Sequence, residues 1–257
     1  MGALDDLSPF GPPPVGARVL LFDLDGTLVR IARRRLTVAM LGLGARRFRS
    51  LFGPIQFARA YAAATARVRE DVSARTNHDV LVDELCGRAG AGRDAVEDLI
   101  DAFVAHDMQR MGSCFAPVPG ARQALLVARE LGYELVLATN PMWSRAAAQF
   151  RLDRGGLGDI EFEFVAHSRA MASCKPSRDY FAQLLRHVGA APEECVMVGD
   201  DPVNDVRGAE LGIRTVLVRP GGASLADLVL WLVRARTTRA RYPLQMGGIE
   251  PSIARET

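Results

Sequence analysis

Val19-Leu-Leu-Phe22 is an unbroken apolar run of strand length, with no polar alternation to mark a solvent-facing side. Such a run suits a strand covered on both faces, as in a parallel sheet. Runs of the same type recur at 134–138, 162–165, 195–198 and 215–218. Between them the apolar positions take helical spacing, at 121–131, 144–150, 178–188 and 205–211, with Gly132, Gly189 and Gly212 placed to close three of these helices. Strand followed by helix, repeated, predicts an α/β fold: a doubly wound, Rossmann-like parallel sheet with helices on both faces.

Residues 30–115 break this alternation. They hold long Ala-, Leu- and Arg-rich stretches, 57–72 and 94–108 among them, and no convincing strand, so they read as a helical insertion. Ligands of open α/β sheets bind beyond the carboxyl ends of the strands, where an insertion after the first strand hangs as a lid. The expected organisation is a flexible lead-in at 1–17, a core of 18–29 and 116–233, a helical cap at 30–115, and a basic, weakly ordered tail at 234–257. Pro9, Gly11, Pro12, Pro13, Pro14 and Gly16 favour an extended lead-in. The tail opens with Arg234-Ala-Arg-Thr-Thr-Arg-Ala-Arg241 and continues through Pro243, Gly247, Gly248 and Pro251.

Composition adds limits. With 257 residues, 49% of them hydrophobic and 24% charged, the chain can bury one substantial domain and a smaller one. A formal charge of +2 gives no reason to expect a nucleic-acid or membrane partner, and the arginine-rich tail reads as a solvated terminus. The first ten residues lack the basic start and apolar core of a signal peptide, and Asp6 stands where a myristoylation signal has Ser or Thr. The apolar run at 225–233 falls short of the roughly 20 residues a membrane span needs. A cytoplasmic protein is expected. Cys86, Cys114, Cys174 and Cys195 form no C-x-x-C pair, and the four histidines have no metal-ligand spacing, so no zinc site is expected. Among 32 Lys plus Arg, Lys175 is the only lysine, which suggests a position where a compact ammonium cannot be exchanged for a planar guanidinium.

Asp23-Leu-Asp-Gly-Thr27 directly follows the first strand. Two carboxylates at i and i+2 of a strand end can face one pocket, and Gly26 lets the backbone turn sharply enough to aim a carbonyl inward. That geometry serves a metal and a phosphate, with Gly26 and Thr27 as candidate phosphate contacts. After the second strand come Thr139 and Asn140, a hydroxyl and an amide able to donate to phosphate oxygens. Lys175 precedes the helix that starts near Arg178, and Gly199-Asp-Asp-Pro-Val-Asn-Asp205 follows the fourth strand. Each candidate lies at a strand exit or beside one, so a single crevice can gather them.

This order of residues resembles the haloacid dehalogenase superfamily of hydrolases. Asp23 and Asp25 match its first motif, Thr139 its second, Lys175 its third, and Asp200 with Asp205 its fourth. The resemblance covers 19 to about 230, and the 30–115 insertion looks like the family's helical C1 cap. It implies a phosphohydrolase that uses Mg²⁺ and a phosphoaspartyl intermediate on a small phosphorylated metabolite. Asp23 would attack phosphorus, and Asp25 would protonate the leaving oxygen and then deprotonate water. Asp23, Asp200 and the backbone carbonyl of Asp25 would hold Mg²⁺, a hard cation suited to oxygen ligands. Thr139, Asn140 and Lys175 would bind the phosphate, Lys175 also neutralising the nucleophile. For Asp201 and Asp205 three roles stay open: contact with a metal-bound water, orientation of Lys175, or, for Asp205, a helix cap.

Some features depart from the family pattern. The basic stretch holding Arg30 and Arg33 to Arg35 either grips an anionic substrate or is a solvated helix start, the second being expected. Trp143 is expected to pack between helices rather than touch substrate. Asp25 argues against dehalogenation, and the absence of lysine from 30–115 argues against phosphonate cleavage. A phosphomutase on the same residues stays open, as does a non-catalytic protein with a phosphate pocket and a partner-binding tail. Substrate and oligomeric state are left undetermined.

Overall fold

In the computed structural model, residues 8–12 and 14–241 are described. In chain order the strands are β1 (Val19–Phe22), β2 (Val29–Ile31), β3 (Phe115–Pro117), β4 (Glu134–Leu137), β5 (Phe164–Val165), β6 (Cys195–Gly199) and β7 (Arg214–Leu217). Five of them form a parallel sheet in the order β5-β4-β1-β6-β7. Within β1, Leu20 and Phe22 point into one core and Val19 and Leu21 into another, as side-chain alternation along a strand requires. The first core is closed by α5 (Ala121–Glu130), α6 (Arg145–Arg154) and α8 (Leu225–Arg241), the second by α7 (Arg178–Val188). Every β1 residue is fully buried, which is why its sequence carries no polar position.

Register places the site. Phe22 lies level with Leu137 on one side and Val198 on the other. Asp23 N then donates to Val198 O (2.9 Å) and Ala138 N to Phe22 O (2.7 Å), so three chain segments leave the sheet at one edge. This edge is the switch point, where β4 and β5 extend to one side of β1 and β6 and β7 to the other.

The insertion contains α1 (Arg33–Arg47), α2 (Pro54–Glu70), α3 (Asn77–Ala89) and α4 (Arg93–Ala102). It has its own apolar cluster around Phe48, Phe52, Phe57, Val82, Leu85 and Val96. α1 and α2 meet at Gly44, where a β-carbon would collide with the Phe57 ring. The helix expected at 57–72 begins earlier, at Pro54, because proline suits a first helical position, and ends at Glu70. The helix expected at 94–108 stops at Ala102 and continues as a π turn, Phe103–Asp107, and a 3₁₀ turn, Met108–Cys114. The reading of no strand in 30–115 is corrected at both ends, where β2 and β3 pair antiparallel. Strands this short, joined only after a long excursion of chain, leave too little local pattern to recognise. The 162–165 strand is confined to Phe164–Val165, and 205–211 forms a 3₁₀ helix at Val206–Leu211.

Both expected ends need correction within the described residues. Residues 234–241, read as the start of a weakly ordered tail, continue α8. Leu225, Leu228, Trp231, Leu232 and Ala235 are buried at helical spacing, a pattern that the surrounding arginines obscured. The described part of the lead-in packs against this helix: Trp231 Nε1 donates to Gly11 O (2.9 Å), and Phe10 meets the indole edge-on at 5.6 Å. Residues 1–7, 13 and 242–257, which complete the expected lead-in and tail, lie outside the described residues. Among the described residues, no helix is long and apolar enough to cross a membrane.

Candidate active site

The turn after β1 is built by its own backbone: Leu28 N and Val29 N both donate to Leu24 O, and Gly26 N donates to Val29 O (2.9 Å). Gly26 has φ +118°, and a β-carbon there would overlap the Asp200 carboxylate, so glycine is required on two counts. Thr27 Oγ1 donates to Asp200 Oδ1 (3.2 Å). Gly26 and Thr27, expected at the phosphate, therefore abut Asp200, and neither lines the cavity described below.

Lys175 closes a buried ion chain. Its ammonium donates to Asp23 Oδ1 (2.7 Å) and Asp205 Oδ1 (2.6 Å), with the lysine side chain 1% exposed. Burial alone would push the ammonium's pKa down, but Asp23 and Asp205 outweigh it and hold the group above its usual range. Burial raises the Asp205 carboxyl, with Lys175 opposing. Of the roles left open for Asp205, the structure places it against Lys175, while its other oxygen accepts from Asp201 N (3.0 Å). Asp201 serves its own turn, accepting from Val203 N (2.8 Å), Asn204 N (3.1 Å) and Asn204 Nδ2 (2.7 Å).

Carboxylate oxygens of Asp23, Asp200 and Asp205 lie within 4.8 Å of one another. Burial, then the charges of Asp23 and Asp205, push the Asp200 carboxyl up to about 6. A cluster of hard oxygen donors under mutual repulsion suits a divalent cation such as Mg²⁺, which relieves that repulsion. Asp205 is engaged through both oxygens, by Lys175 and by Asp201 N, whereas Lys175 takes only one oxygen of Asp23 and Thr27 only one of Asp200, so Asp23 and Asp200 are the carboxylates with an oxygen left to contribute.

Asp25 has a partner that the sequence did not reveal. Arg151 of α6, buried and also donating to Ala147 O (3.2 Å), forms a salt bridge to Asp25 Oδ2. Burial raises the Asp25 carboxyl above its ordinary range, with Arg151 pulling the other way. Asp25 Oδ1 is buried and meets no hydrogen-bond partner among the described residues, as is Asn140 Oδ1. Thr139 is buried beside them, its carbonyl accepting from Tyr180 OH (3.0 Å).

Asp23, Asp25, Thr139, Asn140, Lys175, Asp200, Asp201 and Asp205 all line one cavity of about 390 Å³. The insertion covers it with side chains from α1, α2 and the turns before β3. Of the basic stretch only Arg33 reaches the lining, whereas Arg35 donates to Ser113 Oγ (3.1 Å). Arg69 of α2 lines it too, a residue that its exposed helical position had not singled out. Trp143, expected to pack rather than touch substrate, stacks on Phe103 at 6.1 Å and also forms part of the cavity wall.

Comparison with known proteins agrees with this architecture. The haloacid dehalogenase-like hydrolase family matches residues 17–211. Glyceraldehyde 3-phosphate phosphatase of Methanopyrus kandleri is 31% identical over 212 residues, 79% of this chain and 84% of that protein. Phosphoserine phosphatase of Thermus thermophilus is 36% identical over 141 residues, covering 54% of this chain and 53% of that protein. Haloacid dehalogenase-like hydrolase domain-containing protein 2 of Mus musculus is 41% identical over 102 residues, 37% of this chain, and the chain spans only 39% of its length. The crystal structure of a HAD phosphatase from Thermococcus onnurineus shares the fold, with a TM-score of 0.52 at 20% identity over 82% of this chain and 95% of that one. The matched segment contains every residue of the ion chain and both carboxylates of the β1 turn, and on that ground the chain belongs to the haloacid dehalogenase-like hydrolase family.

Proposed function

We propose that this chain is a phosphomonoesterase acting through a phosphoaspartyl intermediate with Mg²⁺. The observation that carries the reading is the pairing of two carboxylates in one cavity: Asp23, held through one oxygen by Lys175, and Asp25, kept apart on Arg151. Asp23 attacks phosphorus while the alcohol oxygen leaves with the proton of Asp25. In the second half, a water attacks the acyl phosphate, Asp25 takes its proton, and inorganic phosphate is released with Asp23 restored. The raised Asp25 carboxyl favours the protonated form that the first step needs. Lys175 offsets charge on the nucleophile and the phosphate, and Thr139 and Asn140 donate to phosphate oxygens. Asp205 positions Lys175.

Asp23, Asp200 and the backbone carbonyl of Asp25 would hold Mg²⁺, which when bound shields the phosphate from the surrounding carboxylates. The phosphatase names of the two relatives above support the reaction class, and their substrates remain their own. The test is Mg²⁺-dependent release of inorganic phosphate from p-nitrophenyl phosphate. Asp23→Asn should lower turnover by at least about a thousandfold with the melting transition preserved. Wild-type turnover in that variant would overturn the reading. Release of free phosphate, rather than its transfer between positions of one sugar phosphate, separates this activity from a phosphomutase.

A further inference from the structure

We propose that the alcohol half of the substrate is apolar, an alkyl or aryl group rather than a polyol or an amino acid; this rests on the phosphomonoesterase reading. A general acid must reach the leaving oxygen, so the leaving group occupies the part of the cavity that Asp25 lines. The same cavity is lined by Ile31 of β2 and by Leu36, Met40 and Leu41 of α1. Leu36 and Met40 are four residues apart, as are Thr37 and Leu41, so one stripe of the helix faces the cavity. Met108, Met111 and Phe115, all buried, line it too.

The polar groups of the cavity are largely committed elsewhere. Arg151 is engaged by Asp25, Lys175 by Asp23 and Asp205, and Asp201 by its own turn. Thr37, the short hydroxyl on the α1 stripe, donates to Arg33 O (3.0 Å). What the insertion leaves available is the Tyr61 hydroxyl and the exposed guanidiniums of Arg33 and Arg69. A polyol or an ammonium-carboxylate pair buried here would lose several hydrogen bonds to water and recover few, which selects against it.

Shape and flexibility point the same way. Four of the chain's eight methionines, Met40, Met108, Met111 and Met142, line this one cavity. Unbranched thioethers give an apolar wall that adapts to differently shaped groups. On the other side of Met40, Tyr61, Met142 and Trp143 lies a second small cavity of about 40 Å³, with Phe48, Phe57, Leu85 and Phe103 in its wall beside His78 and Asp101. A cavity of about 390 Å³ in all accommodates a phosphate with a ring or a short chain attached.

The experiment measures kcat/KM for ethyl, butyl, hexyl and phenyl phosphate against glycerol 3-phosphate and phosphoserine, all with Mg²⁺. Within the alkyl series the leaving-group basicity is nearly constant, so differences report binding. The value should rise about fourfold per added methylene until the chain fills the cavity, a factor equivalent to about 0.8 kcal/mol each. Butyl phosphate should exceed glycerol 3-phosphate by at least about tenfold. Met40→Gln, on a half-buried position of α1, should cut that butyl-to-glycerol ratio about tenfold, chiefly through KM for the butyl ester. A flat alkyl series, an unchanged ratio in Met40→Gln, or a preference for the polyol would overturn the inference while leaving the phosphomonoesterase standing. Preference for an ester with a second anionic group would also overturn it and assign selectivity to Arg33 and Arg69. No phosphate release from any ester would overturn the parent reading as well.

Discussion

Lys175 shows why a single atom type can matter at a buried position. Its ammonium fills a space between Asp23 and Asp205 with almost no solvent contact, and each carboxylate accepts from the same nitrogen. A guanidinium is larger and planar and needs its donors arranged as a fork. Lys175→Arg should therefore lower kcat at least about a hundredfold while circular dichroism stays native. Lys175→Met leaves two buried acids facing each other and should cost about 3–5 kcal/mol in urea unfolding. Asp200 makes a pH prediction. Its carboxyl is raised from 3.8 to about 6, so the folded protein binds that proton more tightly than the unfolded chain does. The stability contributed by Asp200 is then full below about pH 4 and lost as pH rises through about 6. In metal-free protein at pH 7.5, Asp200→Asn should raise Tm, by about 2–4 °C for each kcal/mol recovered. Calorimetry with and without Mg²⁺ checks this, since the same variant should lose the stabilisation that the cation gives the wild type.

The start of α3 ties the insertion to the loops that carry the chemistry. Thr76 caps the helix by accepting from Asp79 N (3.2 Å), which fixes where its first residues point. Asn77 then donates through Nδ2 to Pro141 O (3.1 Å) and Ser173 O (3.3 Å), and its backbone N donates to Met171 O (2.8 Å). Pro141 follows Thr139 and Asn140, and Ser173 precedes Lys175, so one buried amide braces both segments. Asn77→Ala should cost about 1–3 kcal/mol, the scale of buried groups left unpaired. It should also reduce kcat/KM in protein that still unfolds cooperatively, because the segments bearing Thr139 and Lys175 lose a common brace. Urea unfolding and steady-state kinetics on the same preparation test both halves. The strands, by contrast, were readable because a buried strand needs an unbroken apolar run, whereas β2 and β3 were missed because three residues carry too little periodicity.

At the scale of the molecule, α8 completes the face of the sheet opposite α7 and holds the described lead-in. Trp231 is the largest fully buried side chain; it donates to the backbone at Gly11 and Pro12 and lies under the Arg214 guanidinium at 4.7 Å. Trp231→Ala should cost about 3–5 kcal/mol, the range for removing a buried aromatic. It should also expose residues 8–12 to limited proteolysis before the sheet unfolds. Loss of stability with unchanged cleavage at 8–12 would show that the indole acts only in the core. The arginines of 234–241 had drawn attention to charge, yet the helical spacing of Leu228, Trp231, Leu232 and Ala235 is what places this segment.

The order of the five parallel strands and the helices between them, the helix-closing glycines and the position of each acid at a strand exit were legible in the sequence. Each depends on a few neighbouring residues: a buried strand must be apolar throughout, a helix end favours glycine, and a carboxylate after β1 stands at the sheet's edge. The tertiary structure decided which side chains meet. Arg151 reaches Asp25 across 126 residues of chain, and Asn77 reaches Pro141 across 64. It likewise decided that apolar side chains of α1 and of the turns before β3 line the same cavity as Asp25. Such contacts leave no local period, because the partners are brought together by packing of the whole sheet with its insertion, and either residue alone has the same neighbours in sequence whether or not the other is there.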